Sequence, residues 1–328
     1  MDSIRLNPER PSLDARQLDA LIELWLKDRR RRLAAKTADG YAEKIKYFRE
    51  WWVDVGESLD YQLTEDALLD FNVHLSARIS RFGVPLGFHT RRDCLRRLRQ
   101  MFIWAHEKNY IPNDYRKLVP SPDGSAPLRV VAPLDCLRLL IEATARSPYP
   151  TRDRAILAVL LGAGVRRAEC ASINREWVQI DADNSGELQV AAKRVKNRDV
   201  HMRRVAFDAA TGKFIGAQLD TLIGGRGPLF PSRRGERLTP IGVYRAVKKL
   251  IRLADLGDQI QGPHDLRRYF ATYYSRNRRG ENYGHLLSKQ LGHSNYRMTS
   301  HYSLQDIEDI REVLISPFAL LEADQQQT

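Results

Sequence analysis

Apolar residues recur at helical spacing through the first third of the chain. Leu18, Leu21, Ile22, Trp25 and Leu26 form one stripe, and Tyr41, Ile45, Phe48 and Trp52 form a second. Thr64 precedes a third run, Ala67, Leu68, Phe71 and Leu75, with Glu65 and Asp66 placed to complement the first turn of a helix. A fourth helix is predicted from about His89 to Lys108, its apolar face made by Leu95, Leu98, Phe102 and Ala105. Arg92, Arg96 and Arg99 follow one another at i, i+4 and i+7 on its other side. Such an arginine stripe is either a solvated face or a run of phosphate contacts. Together these helices predict a helical N-terminal domain over residues 1–118.

The periodicity then breaks. Pro120, Pro122, Gly124 and Pro127 punctuate a polar stretch, which predicts an interdomain linker over 119–133. A second domain, 134–328, begins near Leu134. Its segment Arg154-Ala-Ile-Leu-Ala-Val-Leu-Leu161 predicts a buried helix that stops at Gly162 and Gly164. Trp177-Val-Gln-Ile180, Leu188-Gln-Val190 and Arg204-Val-Ala-Phe207 predict short strands with polar turns between them. Helices are expected again from Pro240 to the polar end at Ala323 to Thr328, which should fray. The fold class is therefore mainly α, with a small antiparallel β-sheet in the C-terminal domain.

Charge narrows the class of partner. The 328 residues carry 53 Lys and Arg against 41 Asp and Glu, a net charge of +12. An excess of this size favours a polyanion, because phosphates attract the cations and binding releases counterions. Cys94, Cys136 and Cys170 are odd in number and match no zinc spacing, which predicts reduced thiols in a cytosolic or nuclear compartment. Met1 to Leu13 lacks the apolar core of a secretory leader, and the apolar runs are too short to span a membrane.

Four islands hold candidate chemistry: Ala163-Gly-Val-Arg-Arg-Ala-Glu169, Val190-Ala-Ala-Lys-Arg-Val-Lys-Asn-Arg198, His264-Asp-Leu-Arg-Arg268, and the stretch from Leu291-Gly-His293 to His301-Tyr302. Singly, each has an ordinary explanation. Arg166 can pair with Glu169 across one turn, Lys193 and Lys196 can sit on a solvated hairpin, and His264 can cap a helix after Pro263. Tyr302 is one of thirteen tyrosines. In this order and at these separations, however, the islands resemble the tyrosine recombinase (phage integrase) family. Arg166 matches that family's first catalytic arginine and Glu169 the acidic residue that supports it. Lys193 falls at its hairpin lysine, with Lys196 three residues later as the alternative. His264 and Arg267 match its His-x-x-Arg pair, His293 its second histidine and Tyr302 its nucleophile. Residues 134–318 resemble its catalytic domain. Residues 13–117, including Arg97-Leu-Arg-Gln-Met-Phe-Ile-Trp104, resemble its helical core-binding domain. Ala163 and Cys170 stand where the family often has Thr and Leu, and neither position supplies a catalytic atom.

The resemblance implies a two-domain, C-shaped clamp on double-stranded DNA. It implies a homotetramer on two duplexes, and strand exchange through a 3′-phosphotyrosyl intermediate and a Holliday junction without cofactor or metal. It also implies a cytoplasmic, nucleoid-associated enzyme. Arg92, Arg96, Arg99 and Arg268 are the expected DNA contacts beyond the active site. The residue types suit the chemistry. Two planar, permanently charged guanidiniums can bind the non-bridging oxygens of a phosphate as negative charge builds on them. His264 and Arg267, three residues apart, can share one helix face. Tyr can hold a covalent phosphoryl group, and a hairpin lysine can protonate the leaving oxygen. The segment after Tyr302 repeats Leu304, Ile307, Ile310, Val313 and Leu314 at helical spacing. It is expected to pack either on a neighbouring protomer or on its own domain. A type IB topoisomerase would use a similar residue set without site preference, and an architectural DNA-binding protein would have no use for Tyr302. A metal site built from His264, His285, His293 and His301 fits no ligand spacing.

Overall fold

The computed structural model describes residues 13–80, 83–125, 131–191, 202–276, 283–292, 310–311 and 314–325. The chain divides into two compact units, Met1–Leu128 and Arg129–Thr328. Among the described residues the first holds four α-helices: α1 (Ala15–Arg32), α2 (Ala35–Val55), α3 (Glu65–Ala77) and α4 (Phe88–Glu107). Asp14 starts α1 with a reciprocal cap: its side chain accepts from Gln17 N (2.8 Å), and Gln17 accepts from Asp14 N (3.0 Å). Thr64 caps α3 through Ala67 N at 3.1 Å, at the position the sequence predicts. The predicted stripes all face inward. Phe48 sits at their centre, within 6.1 Å (ring centroids) of Trp51, Trp52, Phe71 and Phe102. Trp52, fully buried, satisfies its indole N–H on the Leu13 carbonyl at 2.7 Å.

The proline-rich stretch begins as part of this unit rather than as free linker. Val119 is buried in the N-terminal core. Asn72 Nδ2 donates to Asp123 Oδ2 (3.0 Å), and Arg91 donates to the Asp123 carbonyl (3.2 Å). At the other end of the stretch, Ala132 packs into the second core.

The second unit contains α5 (Leu134–Glu142), α6 (Pro150–Gly162), α7 (Arg167–Ser172), β1 (Val178–Ile180), β2 (Gly186–Ala191), β3 (Met202–Phe207), α8 (Ala209–Asp220), α9 (Pro240–Leu253), α10 (Pro263–Arg276), α11 (Tyr283–Leu291) and α12 (Pro317–Gln325). Proline opens α6, α9, α10 and α12, where its missing N–H costs nothing and its fixed φ suits the first turn. Every residue of α6 from Ala155 to Gly162 is buried, so this helix is the axis of the domain. The sheet has the order β1-β2-β3, antiparallel throughout, with Leu188 paired to both Val178 and Val205.

Helix α8 is not predicted by the sequence pattern. Gly212 and Gly216 weaken its local helix signal, and packing supplies the reason for Gly212. A Cβ on Gly212 would overlap the carbonyl oxygen of Asn184, in the β1–β2 turn, and one on Gly162 of α6 would overlap the Thr211 side chain. Close approach of α8 to α6 and to the hairpin thus requires glycine. Gly212→Ala is expected to destabilise by about 1–3 kcal/mol, the usual range for overpacking, although alanine is the better helix former. A melting curve that rises instead would contradict this packing.

The described part of the C-terminal segment lies on its own domain. Ile310 and Leu314 join Phe270, Tyr274, Leu286 and Leu291 in one cluster, and Phe318 and Leu321 enter the main core. Asp208 Oδ2 accepts from Ser316 N at 2.7 Å, anchoring the start of α12 to the turn before α8. Leu304, Ile307 and Val313 lie outside the described residues.

Candidate active site

The site begins where α6 ends. Gly164 takes φ +66°, and a Cβ there would run into the Phe270 ring. This turn delivers Arg166 to the position just before α7. Glu169, one turn on, reaches back: Oε2 accepts from Arg166 N (2.7 Å) and Oε1 from the Arg166 guanidinium (2.8 Å). Arg166 donates its other terminal nitrogen to the Gly292 carbonyl at 2.7 Å. Held from two sides, its side chain keeps 38% of its surface exposed.

Helix α10 brings the second arginine. Arg267 is 5% exposed and donates to the carbonyls of Gly164 (2.6 Å) and Leu291 (2.5 Å). Its NH1 stands 3.9 Å from Glu169 Oε2. Burial, helped by the nearby Arg166 charge and opposed by Glu169, pulls its pKa down to about 10, so it stays cationic at neutral pH. His264, one turn earlier on the same helix, is exposed, and Arg268 pairs with Asp265 at 3.0 Å. Arg166, His264 and Arg267 line one open cleft, with Tyr244 of α9 on its wall. Three of the candidate phosphate ligands therefore converge. Lys193, Lys196, His293 and Tyr302 lie outside the described residues.

Glu169 is the hub. Besides Arg166 it takes a bond from Arg203 NH2 at 2.8 Å. Burial alone would raise its pKa, but the charges of Arg203 and Arg166 and the Arg166 hydrogen bonds outweigh it and hold the carboxyl below its ordinary 4.5. Because the folded pKa is depressed, the stability this network contributes is complete above pH 4.5 and is lost as pH falls through the folded value. Glu169→Gln is expected to flatten that acid limb of the stability curve in pH-dependent denaturant melts. An unchanged limb would assign acid sensitivity to other carboxylates.

Two members of the network, Arg203 and Gln290, are not among the residues read from the sequence. A signal for Arg203 exists: it shares the inward face of β3 with Val205 and Phe207 at period two, but the predicted strand starts one residue later, at Arg204. No local pattern marks Gln290, whose partners come from α6 and β3.

The arginine stripe on α4 divides. Arg92 and Arg96 face outward, Arg96 beside Asp93 (3.1 Å) and Arg92 over the Phe88 ring (5.8 Å). Arg99 does not share their exposure, because its guanidinium is committed to the Val119 carbonyl at 2.6 and 3.1 Å. It secures the end of the N-terminal unit, so of the three arginines only Arg92 and Arg96 are exposed. Cys94 and Cys170 are buried free thiols, burial pushing Cys94 up to about 12 and Cys170 further, while Cys136 is half-buried. Among the described residues no group of three His, Cys, Asp or Glu side chains is placed to hold a metal, and no helix is long and apolar enough to cross a membrane.

The sequence profile of the phage integrase family matches residues 133–308, more than half of the chain. The chain belongs to that family. It is 29% identical over 303 residues to tyrosine recombinase XerD of Pseudomonas aeruginosa, covering 90% of this chain and 93% of that one. It is 30% identical over 268 residues to tyrosine recombinase XerC of Vibrio campbellii, covering 78% and 81%. Its fold is similar to that of a lambda integrase tetramer bound to a Holliday junction, with a TM-score of 0.61 at 16% identity, covering 88% and 80%. This member of the phage integrase family is a tyrosine-type site-specific recombinase, and its mainly helical fold with a small antiparallel sheet is the fold of that structure.

Proposed function

We propose that the cleft lined by Arg166, His264 and Arg267 holds the scissile phosphate of a specific double-stranded DNA site and that Tyr302 attacks it. The observation that carries this reading is the convergence of two arginines and a histidine, from α10 and the start of α7, on one open cleft. Phosphoryl transfer asks a protein chiefly for positioning and for charge where the phosphoryl oxygens become more negative. Arg166 and Arg267 supply both, since each is fixed by carbonyl and carboxylate partners before any substrate arrives. His264 and His293 add hydrogen bonds to the same oxygens. Tyr302, as its phenolate, forms the new P–O bond while the bond to the 5′ oxygen breaks. Lys193, two positions past Ala191 in the chain, protonates that leaving oxygen, with Lys196 as the alternative donor.

The product is a 3′-phosphotyrosyl link and a free 5′ hydroxyl. A 5′ hydroxyl from a partner duplex reverses the step, which exchanges strands through a Holliday junction. The enzyme acts as a tetramer on two duplexes in the cytoplasm, on nucleoid DNA. Arg92 and Arg96 of α4 and Arg268 contact backbone phosphates outside the cleft.

The test is covalent trapping. Protein mixed with nicked duplexes carrying candidate sites should give a protein–DNA adduct that survives a denaturing gel. Relaxation of any supercoiled plasmid regardless of sequence would favour a type IB topoisomerase. Binding without adduct on every duplex would sink the cleavage reading.

A further inference from the structure

Arg203 and Gln290 are buried, and the reaction above gives neither of them a part. Their surroundings do. At the end of α11 three consecutive carbonyls each receive a different arginine: Gln290 O from Arg203 (2.5 Å), Leu291 O from Arg267 (2.5 Å) and Gly292 O from Arg166 (2.7 Å). The last carbonyls of a helix have no partner within it, and its C-terminal end carries partial negative charge. A row of cations is the natural partner, and here the cations also gather around Glu169. Gly292, at φ +60°, permits the row, since a Cβ there would lie 2.7 Å from Arg203 Nε.

The Gln290 side chain anchors the same turn to the sheet. Among the described residues β3 is an edge strand, and the two backbone polar groups of Ala206 are both satisfied by this one amide. Gln290 Oε1 accepts from Ala206 N (3.2 Å) and Nε2 donates to Ala206 O (2.8 Å). Nε2 also donates to Ala163 O at 3.1 Å, at the end of α6. The amide thus stands in for a fourth strand and ties α6, β3 and α11 together.

We propose that Arg203 and Gln290 are positioning residues for strand cleavage: they fix the carbonyl row at the end of α11, and the row sets the placement of Arg166 and Arg267 on the phosphate. Arg203 bridges Glu169 to the row without facing the cleft. Gln290 sets the height of the row against β3, the strand that follows the lysine-bearing connection. His293 follows Gly292 directly in the chain, so a shift of this turn displaces three phosphate ligands together. This inference rests on the proposed function.

The experiment compares Arg203→Met, Arg203→Lys and Gln290→Met with the wild-type chain. It follows single-turnover adduct formation at saturating nicked duplex, DNA affinity, and the pH profile of the cleavage rate. Small misplacements of aligned groups cost on the order of 100-fold in rate, and that loss is expected for Arg203→Met and Gln290→Met with affinity held within a few fold. The described charges facing Glu169 are Arg166, Arg203 and Arg267. Removing Arg203 lets the carboxyl pKa rise, so the acid limb of the rate profile should move to higher pH in Arg203→Met. Arg203→Lys should return the limb to its wild-type position. With one point charge for two acceptors, it should not restore the full rate. Wild-type rates in Arg203→Met and Gln290→Met would overturn the proposal. So would slow cleavage with an unmoved acid limb and no recovery by lysine, which is the pattern of a merely structural residue. If Arg203→Met does not melt cooperatively, wild-type rates in the other two variants overturn it equally. A wild-type chain that forms no adduct would instead strike at the proposed function.

Discussion

Tyr302→Phe is expected to bind its DNA site with unchanged affinity and to form no covalent adduct at all. The substitution removes one oxygen atom, and that oxygen is the atom that would join phosphorus. Phenylalanine keeps the ring and its packing, so a structural role for Tyr302 would survive the change. A phenol ordinarily ionises near pH 10, and a cleft holding two guanidiniums that are cationic at neutral pH favours the phenolate over the neutral form. On the proposed mechanism the nucleophile and its activation depend on one position, so the expected loss is total rather than graded. Denaturing gels of wild type and variant on the same nicked duplex decide the matter. An adduct that persists in Tyr302→Phe would move the nucleophile to another of the thirteen tyrosines. Loss of binding together with the adduct would give Tyr302 a structural part.

The second large effect concerns the arginines. Arg166→Ala and Arg267→Ala should each slow single-turnover cleavage by about 100- to 1000-fold, the range seen when one preorganised donor to a developing oxyanion is removed. The two should differ in stability. Arg166 is over a third exposed, and its removal lets water reach the Gly292 carbonyl. Arg267 is 5% exposed, and its removal leaves the Gly164 and Leu291 carbonyls buried without donors. Each such carbonyl costs roughly 1–3 kcal/mol, so Arg267→Ala should melt well below Arg166→Ala. Equal melting temperatures would mean that the Arg267 bonds are replaced by water. Cleavage near the wild-type rate in either variant would remove that arginine from the phosphate. Burial has lowered the pKa of Arg267 to about 10, so its positive charge, and the attraction it exerts on phosphate, should fade as pH rises through that value.

The sequence by itself determined the parts that depend on neighbours in the chain. Helices α1 to α4 follow from apolar spacing, and Thr64 marks the start of α3 because a hydroxyl there can meet an N–H three residues on. The strands β1, β2 and β3 follow from short apolar runs between polar turns. The candidate catalytic set, Arg166, Lys193, His264, Arg267, His293 and Tyr302, is legible as a resemblance to the family, carried by the order and separation of these residues in the chain.

Only the tertiary structure decided what depends on distant partners. It placed Arg166, His264 and Arg267 on one cleft and gave Glu169 a second arginine, Arg203, from a strand 34 positions away. It turned Arg99 from a surface cation into a brace on Val119. It made a helix of 209–220, where two glycines, one of them, Gly212, needed for close packing, had weakened the helix signal. It set Ile310, Leu314, Phe318 and Leu321 into their own domain, a choice that helical spacing leaves open because an apolar stripe does not name its partner. Local pattern records which face of an element avoids water. Which buried donor meets which buried acceptor is settled when α6, β3, α10 and α11 come together, because each polar group left unpaired in that interior costs free energy.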